Sequence, residues 1–572
     1  MVRPSQFADI QINAAMALAK KAGLPPREAA AKIVDALNLD GICTEVEISG
    51  PGFINLSFDG TWIEELLNAE SAEAASPATA VTPAATPQRV VVDYSSPNVA
   101  KEMHVGHLRT TVVGDSLVKV LEALGDTVIR QNHIGDWGTP FGMLIEHWLE
   151  IGEDSPEAAL LVEDPSAFYQ AARAKFDASA TDAEGFATRA RLRVVALQSG
   201  DPETFAVWQR LVAQSKRYFN AIYSTLGISL TDDHIAGESS YDAHLAQLCQ
   251  ELEERGLARI SDGALCTFPD GFTGRDGQPL PLIIRKSDGG YGYGTTDLAT
   301  IRYRVRELEA DRVLYVVGAP QNVHLRMVMA SARDAGWLPD TVEAVHVQIG
   351  NVLGEDGKIL KSRSGAPVKL MALLEEAVDR ARAVIDASRP ELSDEERAVT
   401  ARQVGIGAVK YADLSTGHDT EYVFDFDRML ALSGNTGPYV QYAAARIRSI
   451  LRKAGVLEQF TAGGTPATGT PATGAGGPAT AIAVVEPAER ALALHLLEFD
   501  TTLNKVRDAL EPHRLCGYLF ELAQLFTSFY DQCPVLKAEE SVRDSRLALC
   551  ALVLRRLSGG LDLLGIETPE NM

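Results

Sequence analysis

Two histidines at close spacing stand out as groups that could act on a phosphate. His104, Gly106 and His107 lie in VDYSSPNVAKEMHVGH (92–107), where an apolar strand pattern gives way to a helical one. Side chains three positions apart project from one face of a helix, so both imidazoles could donate hydrogen bonds to the same phosphate. Gly106 would leave room for a nucleotide ring close to the backbone. Paired surface or metal-binding histidines would share this spacing.

The elements around these histidines follow the order strand, helix, strand. RVVVDYSS has the pattern of a buried strand, residues 108–124 that of a helix with one apolar face, and TVIRQNHIGDW that of a second strand. DRVLYVVGA, NVHLRMVMASARDAG and VEAVHVQIG repeat the order farther along the chain. Parallel crossovers of this kind predict a doubly wound α/β sheet, in which ligands bind at the carboxyl ends of the strands.

Composition limits the class of protein. The 572 residues are too many for one core, and the apolar runs are too short to cross a bilayer. The N-terminus lacks the apolar core of a signal peptide, so a cytoplasmic protein is expected. Six cysteines without a CxxC pair argue against zinc or disulfides, and no metal site is predicted. With a net charge of -24, any RNA must meet local basic faces.

Longer segments carry a family resemblance. HVGH resembles the HIGH motif of class I aminoacyl-tRNA synthetases, and SSPNVAKEMHVGHLR is similar to its form in arginyl-tRNA synthetases. The resemblance continues through NHIGDWGTPFG, SDGGYGYGTTDLA, KSRSG, GNTGPYVQYAAARI and LDLLGIETPENM, and so covers essentially the whole chain. It implies that ATP, with Mg²⁺, activates arginine to arginyl-adenylate, and that arginine passes to the 2′-hydroxyl of the terminal adenosine of arginine tRNA. No prosthetic group, DNA or membrane is implied, and a monomer is expected.

The second signature of the class, a Lys-Met-Ser-Lys loop, is absent in its usual form. GEDGKILKSRSGAPVKL offers several cations instead, among them Lys361 and Arg363, and Lys101 could substitute for the missing lysine. Which cation acts stays open, and a solvated basic loop would have the same composition. By resemblance, the expected catalytic residues are His104, Gly106, His107, Lys101, Lys361 and Arg363.

Recognition of arginine needs carboxylates, because the planar fork of guanidinium donors suits bidentate pairing. Tyr293 and Asp297 in YGTTD would share one face of a turn that enters a helix, although Asp297 could instead cap that helix. By resemblance, Asn98 would hold the amino or carboxylate end of arginine. The residues expected around its side chain are Glu238, Tyr293, Asp297 and Gln321.

Two low-complexity tracts rich in small residues divide the chain, because such segments cannot bury enough apolar surface to fold. By resemblance, the domains are an α+β module that binds the tRNA elbow, a linker, a Rossmann-like catalytic domain with a helical insertion, and an all-α anticodon-binding bundle that contains a low-complexity loop. The corresponding ranges are 1–75, 76–88, 89–375 with the insertion at about 150–230, and 376–572 with the loop at 461–480. Candidate tRNA contacts are Phe53, Asn55, Tyr439, Arg446 and Arg448.

Two alternative hypotheses remain at this stage. One keeps the enzyme class but changes the substrate, giving a nucleotidyltransferase or a class I synthetase for another amino acid. The other is a catalytically silent tRNA-binding paralogue. The presence of both signature histidines disfavours a silent paralogue.

Overall fold

A computed structural model describes residues 2–4, 7–72, 81–99, 101–179, 181–182, 184–275, 277–361, 368–461 and 481–572. Arg363 lies outside the described residues. So do residues 76–80 of the expected linker and 462–480 of the expected low-complexity loop.

The N-terminal module is a four-stranded antiparallel sheet covered by helices, with strand order β1-β2-β4-β3. Ala15, Ala30, Ile54 and Leu56 form its small core. Gly52 joins the last two strands at a φ of 130°, and a Cβ there would come within 2.7 Å of the Pro26 carbonyl oxygen, so only glycine fits this turn. The elements are β1 (Val2–Pro4), β2 (Ile10–Ile12), α1 (Ala14–Ala22), α2 (Pro26–Ala36), β3 (Cys43–Ser49), β4 (Phe53–Phe58) and α3 (Gly60–Ala72).

The middle of the chain alternates strands and helices around one helical insertion. The elements before and within the insertion are β5 (Arg89–Tyr94), α4 (Val105–Ala123), β6 (Thr127–Gln131), α5 (Thr139–Ile151), α6 (Pro156–Glu163), α7 (Pro165–Ala178), α8 (Phe186–Gln198) and α9 (Pro202–Leu226). The elements after it are α10 (Asp242–Glu254), β7 (Ala258–Ser261), β8 (Ala264–Thr267), β9 (Leu282–Arg285), α11 (Tyr293–Arg306), β10 (Arg312–Gly318), α12 (Asn322–Asp334), β11 (Glu343–Ile349) and β12 (Val352–Leu353).

The central sheet confirms the predicted doubly wound topology. Its four strands are all parallel, in the order β11-β10-β5-β6. The two halves of the chain therefore meet between β5 and β10, which is the topological switch point where open α/β sheets form a ligand crevice. Val90, Val91 and Val92 of β5 are fully buried, as a strand covered by helices on both faces requires.

A second, antiparallel sheet of β7, β8 and β9 was not predicted from the sequence. It packs Leu265 and Ile284 into the core shared with α10 and α11. Because β9 ends shortly before α11, this sheet fixes where α11 begins. Thr295 of α11 donates a hydrogen bond to the Ile284 carbonyl.

The C-terminal part is helical almost throughout, as predicted. Leu519 packs against Gly560 so closely that a Cβ at that glycine would lie 2.5 Å from the leucine side chain. None of the described helices is long and apolar enough to span a bilayer. The elements are α13 (Leu370–Ser388), α14 (Asp394–Leu414), β13 (Tyr422–Val423), α15 (Phe426–Met429), α16 (Gly437–Lys453), α17 (Leu457–Thr461), α18 (Pro487–Leu496), α19 (Phe499–Ala509), α20 (His513–Gln532) and α21 (Glu540–Leu563).

Candidate active site

A cleft of about 940 Å³ opens at the carboxyl ends of β5 and β10. Its walls come from the start of α4, the start of α11, the β10–α12 connection and the segment after β12. Most of the residues singled out in the sequence line this one cavity: Asn98, His104, Gly106, His107, Glu238, Tyr293, Asp297, Gln321 and Lys361.

The two signature histidines are held at the start of α4 by reciprocal hydrogen bonds. His104 is the N-cap residue, and its Nδ1 accepts from the Gly106 N–H at 3.1 Å. The Nδ1 of His107 accepts from the His104 N–H at 3.1 Å. Since both Nδ1 atoms accept, the proton of each neutral ring is assigned to Nε2. Both rings are therefore Nε2–H donors.

Burial keeps these imidazoles neutral. Desolvation, together with the neighbouring His104 and Lys101, lowers the pKa of His107 to about 3. Desolvation and Lys101 also lower the pKa of His104. At neutral pH the pair therefore offers two hydrogen-bond donors without adding charge, at the positive end of the α4 helix, which is an arrangement suited to phosphate.

The role of Gly106 differs in detail from the one expected. A Cβ at this position would lie 2.8 Å from Cε1 of His104, so the glycine makes room first for the imidazole. The residue thus fixes the orientation of His104. The space for a nucleotide ring, expected from the sequence, stays a prediction.

Strained backbone carries the chain from β5 into the cleft. Ser95 and Ser96 adopt φ values of 71° and 47°, which non-glycine residues rarely do. The Ser96 N–H donates to Asn132 Oδ1 at 3.0 Å, which holds this turn. The turn places Asn98 beside Gly135, where any Cβ would lie 2.5 Å from Asn98 Oδ1.

The candidate cations occupy different places. Lys361 lines the cleft. The ammonium of Lys101 lies 4.4 Å from the ring centroid of Tyr169 on α7, and Lys101 is not among the lining residues. Lys369, from the same basic stretch as Lys361, pairs with Glu102 at 2.9 Å and so ties the end of that loop to the segment before His104.

Asp297 and Glu238 line the same cleft and form its acidic wall. Asp297 lies one turn into α11, whose N-cap is Gly292, so the alternative role of Asp297 as a helix cap is wrong. Its Oδ2 lies 2.5 Å from Nε2 of His324, and its Oδ1 lies 3.9 Å from Nε2 of His133. The Tyr293 ring meets the His324 ring edge-on, with centroids 4.7 Å apart.

The carboxyl group of Glu238 has a raised pKa. Burial raises its pKa to about 7; His133 opposes the shift, while Asp297 and Asp136 add to it. Two carboxylates that repel each other across a partly desolvated cavity form a receptor for a cation. A forked guanidinium, with several donors, fits such a receptor better than a point charge does.

Sequence reasoning missed His133 and His324. Both lie in segments that were noted for other reasons, NHIGDWGTPFG and the α12 pattern, and nothing in their spacing links them to Asp297. Asp93, which also lines the pocket, forms a buried ion pair with Arg304 at 2.7 Å, and this pair joins the end of β5 to α11. Among the described residues, no group of three or more His, Cys, Asp or Glu side chains could hold a metal ion.

The candidate tRNA contacts of the N-terminal module differ in accessibility. Phe53 is partly exposed. Asn55 is only 2% exposed, and its amide is used by Gln11 and Ser49 within the sheet. A direct contact between Asn55 and RNA would therefore require the sheet to open.

The candidates on α16 also differ from one another. The rings of Tyr439 and Phe520 lie 5.5 Å apart, and Arg446 lies 4.5 Å from the ring centroid of Tyr530. These partly exposed residues line the surface between α16 and α20. Arg448 instead donates to the Pro569 carbonyl at 2.7 Å and so holds the C-terminal segment.

Three family models match the chain in succession. They are described as Arginyl tRNA synthetase N terminal domain (residues 2–58), tRNA synthetases class I (R), catalytic domain (residues 75–426), and DALR anticodon binding domain (residues 440–572).

Individual relatives match over the full length. A protein of Thermobifida fusca (strain YX) named Arginine--tRNA ligase is 63% identical over 578 residues, covering 100% of this chain and 95% of the relative. A Frankia casuarinae protein of the same name is 50% identical, covering 100% and 94%. The crystal structure of arginyl-tRNA synthetase from Plasmodium falciparum superposes with a TM-score of 0.79 at 28% identity, covering 100% of this chain and 95% of that one. Thermus thermophilus arginyl-tRNA synthetase gives 0.79 at 26%, covering 100% and 96%.

Proposed function

The chain belongs to the class I arginyl-tRNA synthetases and is an arginine–tRNA ligase; from this premise we propose that both steps of its reaction take place in the cleft between β5 and β10. The observation that carries the proposal is the shared cavity. The paired imidazoles and the carboxylates face the same space, so that a nucleotide and a guanidinium can lie next to each other. The relatives reported above support neither a different amino acid nor a silent paralogue.

His104 and His107 bind the phosphates of ATP. Their Nε2–H groups are neutral donors at a helix N-terminus, and such donors gain strength as negative charge develops on the α-phosphate. Lys361, which lines the same cleft, supplies a cation. Lys101 lies close enough to lower the pKa of both histidines and would reach the phosphates by leaving the Tyr169 ring. Arg363 is retained from the sequence as a further candidate.

ATP enters as its Mg²⁺ complex, with the ion as part of the substrate. Mg²⁺ keeps most of its waters and binds nucleotide phosphates more readily than an all-protein cage. The ion is therefore proposed to be carried by the phosphates of ATP.

Arginine occupies the acidic wall. Asp297 and Glu238 pair with its guanidinium, while Tyr293 and Gln321 border the side chain. Asn98, at the turn after β5, holds the amino or carboxylate end and directs the carboxylate toward the α-phosphorus.

Positioning and electrostatics suffice for the chemistry. The arginine carboxylate attacks the α-phosphorus of ATP, the bond to the bridging oxygen breaks, and pyrophosphate leaves. The 2′-hydroxyl of the terminal adenosine of tRNA then attacks the carbonyl carbon of arginyl-adenylate, and AMP leaves. No protein nucleophile takes part.

The remaining parts of the chain bind tRNA. We retain the domain ranges expected from the sequence, with the elbow at the N-terminal module and the anticodon loop at the C-terminal bundle. Tyr439 and Arg446 are the preferred anticodon contacts, since stacked aromatic and arginine faces hold unpaired bases. Phe53, Asn55 and Arg448 are weaker candidates. A cytoplasmic monomer completes the proposal.

Aminoacylation by the purified chain tests the assignment. With ATP, Mg²⁺ and arginine tRNA present, we expect charging with arginine and with none of the other standard amino acids. ATP–pyrophosphate exchange, measured with tRNA present, should show the same preference. Charging with cysteine or lysine at a comparable rate would overturn the proposed arginine pocket.

A further inference from the structure

One imidazole touches two of the residues proposed to bind arginine. His324 lies in the first turn of α12, and its Nε2 lies 2.5 Å from Oδ2 of Asp297. Its ring also meets the Tyr293 ring edge-on, with centroids 4.7 Å apart. The His324 side chain is 14% exposed and that of Asp297 is 19% exposed, whereas Tyr293 is 67% exposed.

The two oxygens of Asp297 differ in hydrogen bonding: Oδ2 is bonded to His324, and Oδ1 is not. Oδ2 accepts the Nε2–H of His324, because a carboxylate can only accept. Oδ1 faces Nε2 of His133 at 3.9 Å, beyond hydrogen-bond distance. His133 donates its Nδ1–H to the Ala236 carbonyl at 2.8 Å, which fixes the orientation of its ring. Among the described residues, none donates a hydrogen bond to Oδ1.

We propose that His324 is a positioning residue for arginine: it holds Oδ2 of Asp297 and the Tyr293 ring so that Oδ1 faces the incoming guanidinium. The inference rests on the proposed function, since it assumes that Asp297 binds the substrate. Without the imidazole, the carboxylate of Asp297 can rotate and Tyr293 loses its edge contact. Part of the binding free energy of arginine must then be used to fix these two side chains. Affinity for arginine falls, while the ATP end of the cleft is unaffected.

A matched pair of substitutions separates the hydrogen bond from general packing. In His324→Gln the longer amide can place an N–H near the position of Nε2, and in His324→Asn the amide is too short to reach Asp297. Both variants are polar and both avoid a large cavity. We expect His324→Asn to raise the KM for arginine by at least about tenfold, the usual effect of losing a charge-assisted hydrogen bond, and to change the KM for ATP by less than about twofold. His324→Gln should recover most of the affinity.

A second histidine serves as the control. His346 on β11 is also partly buried and bonds to the Val317 carbonyl at 3.1 Å, but it does not line the cleft. His346→Gln and His346→Asn should leave the KM for arginine unchanged. Equal KM values for His324→Asn and wild type, or equal losses in His324→Asn and His324→Gln, would overturn the inference.

A double-mutant cycle tells failure of this inference from failure of the proposed function. If His324 acts through Asp297, adding His324→Asn to Asp297→Asn should raise the KM for arginine by less than about twofold more. If Asp297→Asn alone leaves the KM for arginine unchanged, the proposed arginine pocket is wrong. If Asp297→Asn weakens arginine binding and the effects of the two substitutions multiply in full, the pocket stands and the role of His324 is wrong.

Discussion

Arginine binding should depend on pH through Glu238. In the substrate-free protein the pKa of this carboxyl group is about 7, because burial and the nearby carboxylates of Asp297 and Asp136 outweigh the favourable effect of His133. A guanidinium placed beside Glu238 stabilises the ionised form and lowers that pKa. Arginine therefore selects protein molecules in which Glu238 has already lost its proton, and binding releases protons.

The size of the effect follows from the ionised fraction. With a pKa of about 7, Glu238 is ionised in about one molecule in eleven at pH 6, in about half at pH 7 and in about ten of eleven at pH 8. The apparent Kd scales with the inverse of the competent fraction, so it should fall about tenfold between pH 6 and pH 8. Binding at pH 7 should release about half a proton per arginine.

Isothermal titration calorimetry measures both quantities on the intact protein. Titrations at pH 6, 7 and 8 give the Kd, and buffers with different ionisation enthalpies give the number of protons released. Glu238→Gln is the control, because it keeps the shape of the side chain and cannot titrate. Its Kd at pH 8 should exceed that of wild type and should change little between pH 6 and pH 8.

The same shift predicts an effect on folding in the absence of arginine. Because the pKa of Glu238 is raised from its ordinary value of 4.5 to about 7, the folded protein holds this proton more tightly than the unfolded chain does. The protonated carboxyl group therefore stabilises the fold fully below about pH 4.5, and this stabilisation is lost as the pH rises through about 7. The melting temperature of Glu238→Gln relative to wild type should therefore be higher at pH 8 than at pH 5. A wild-type Kd that stays constant from pH 6 to pH 8, with no proton release, would refute the reasoning.

Three further substitutions have definite outcomes. His107→Ala removes a neutral donor to the developing phosphate charge, and it should lower the turnover of arginine activation at least about tenfold; tRNA affinity should not change, and the opposite pattern in a filter-binding assay would contradict the role. Gly106→Ala places a Cβ 2.8 Å from the His104 ring, so activation should slow severalfold, while the melting temperature should not fall because alanine favours helices; unchanged pyrophosphate exchange would show that the ring moves freely. Asp413→Ala leaves the guanidinium of Arg109 without its carboxylate partner at a site where both side chains are 0% exposed. The substitution should lower the free energy of unfolding by about 3–5 kcal/mol. An unaltered thermal transition would contradict this prediction.

Local patterns were enough to predict the architecture. Three local patterns predicted the doubly wound sheet that the structure confirms: the apolar strand RVVVDYSS, the helical period of residues 108–124, and the repeat of this order at DRVLYVVGA. Each pattern reflects the contacts of its segment with neighbouring elements. The three-stranded sheet of β7, β8 and β9 escaped prediction. Its strands have only four residues each, which is too short for an alternating pattern to be distinguished from an irregular segment.

The residues of the site also differ in whether the sequence could predict their arrangement. His104, Gly106 and His107 could be recognised because one turn of helix brings them together, so their spacing in the chain already determines their spacing in space. The contact between His324 and Asp297 joins residues on two helices separated by β10, and the place of Lys101 over Tyr169 depends on how the insertion packs. The sequence by itself determined the sheet, its switch point and the residues at the helix start. Only the tertiary structure decided which side chains complete the acidic wall and how each is oriented, because those contacts depend on packing between elements far apart in the chain.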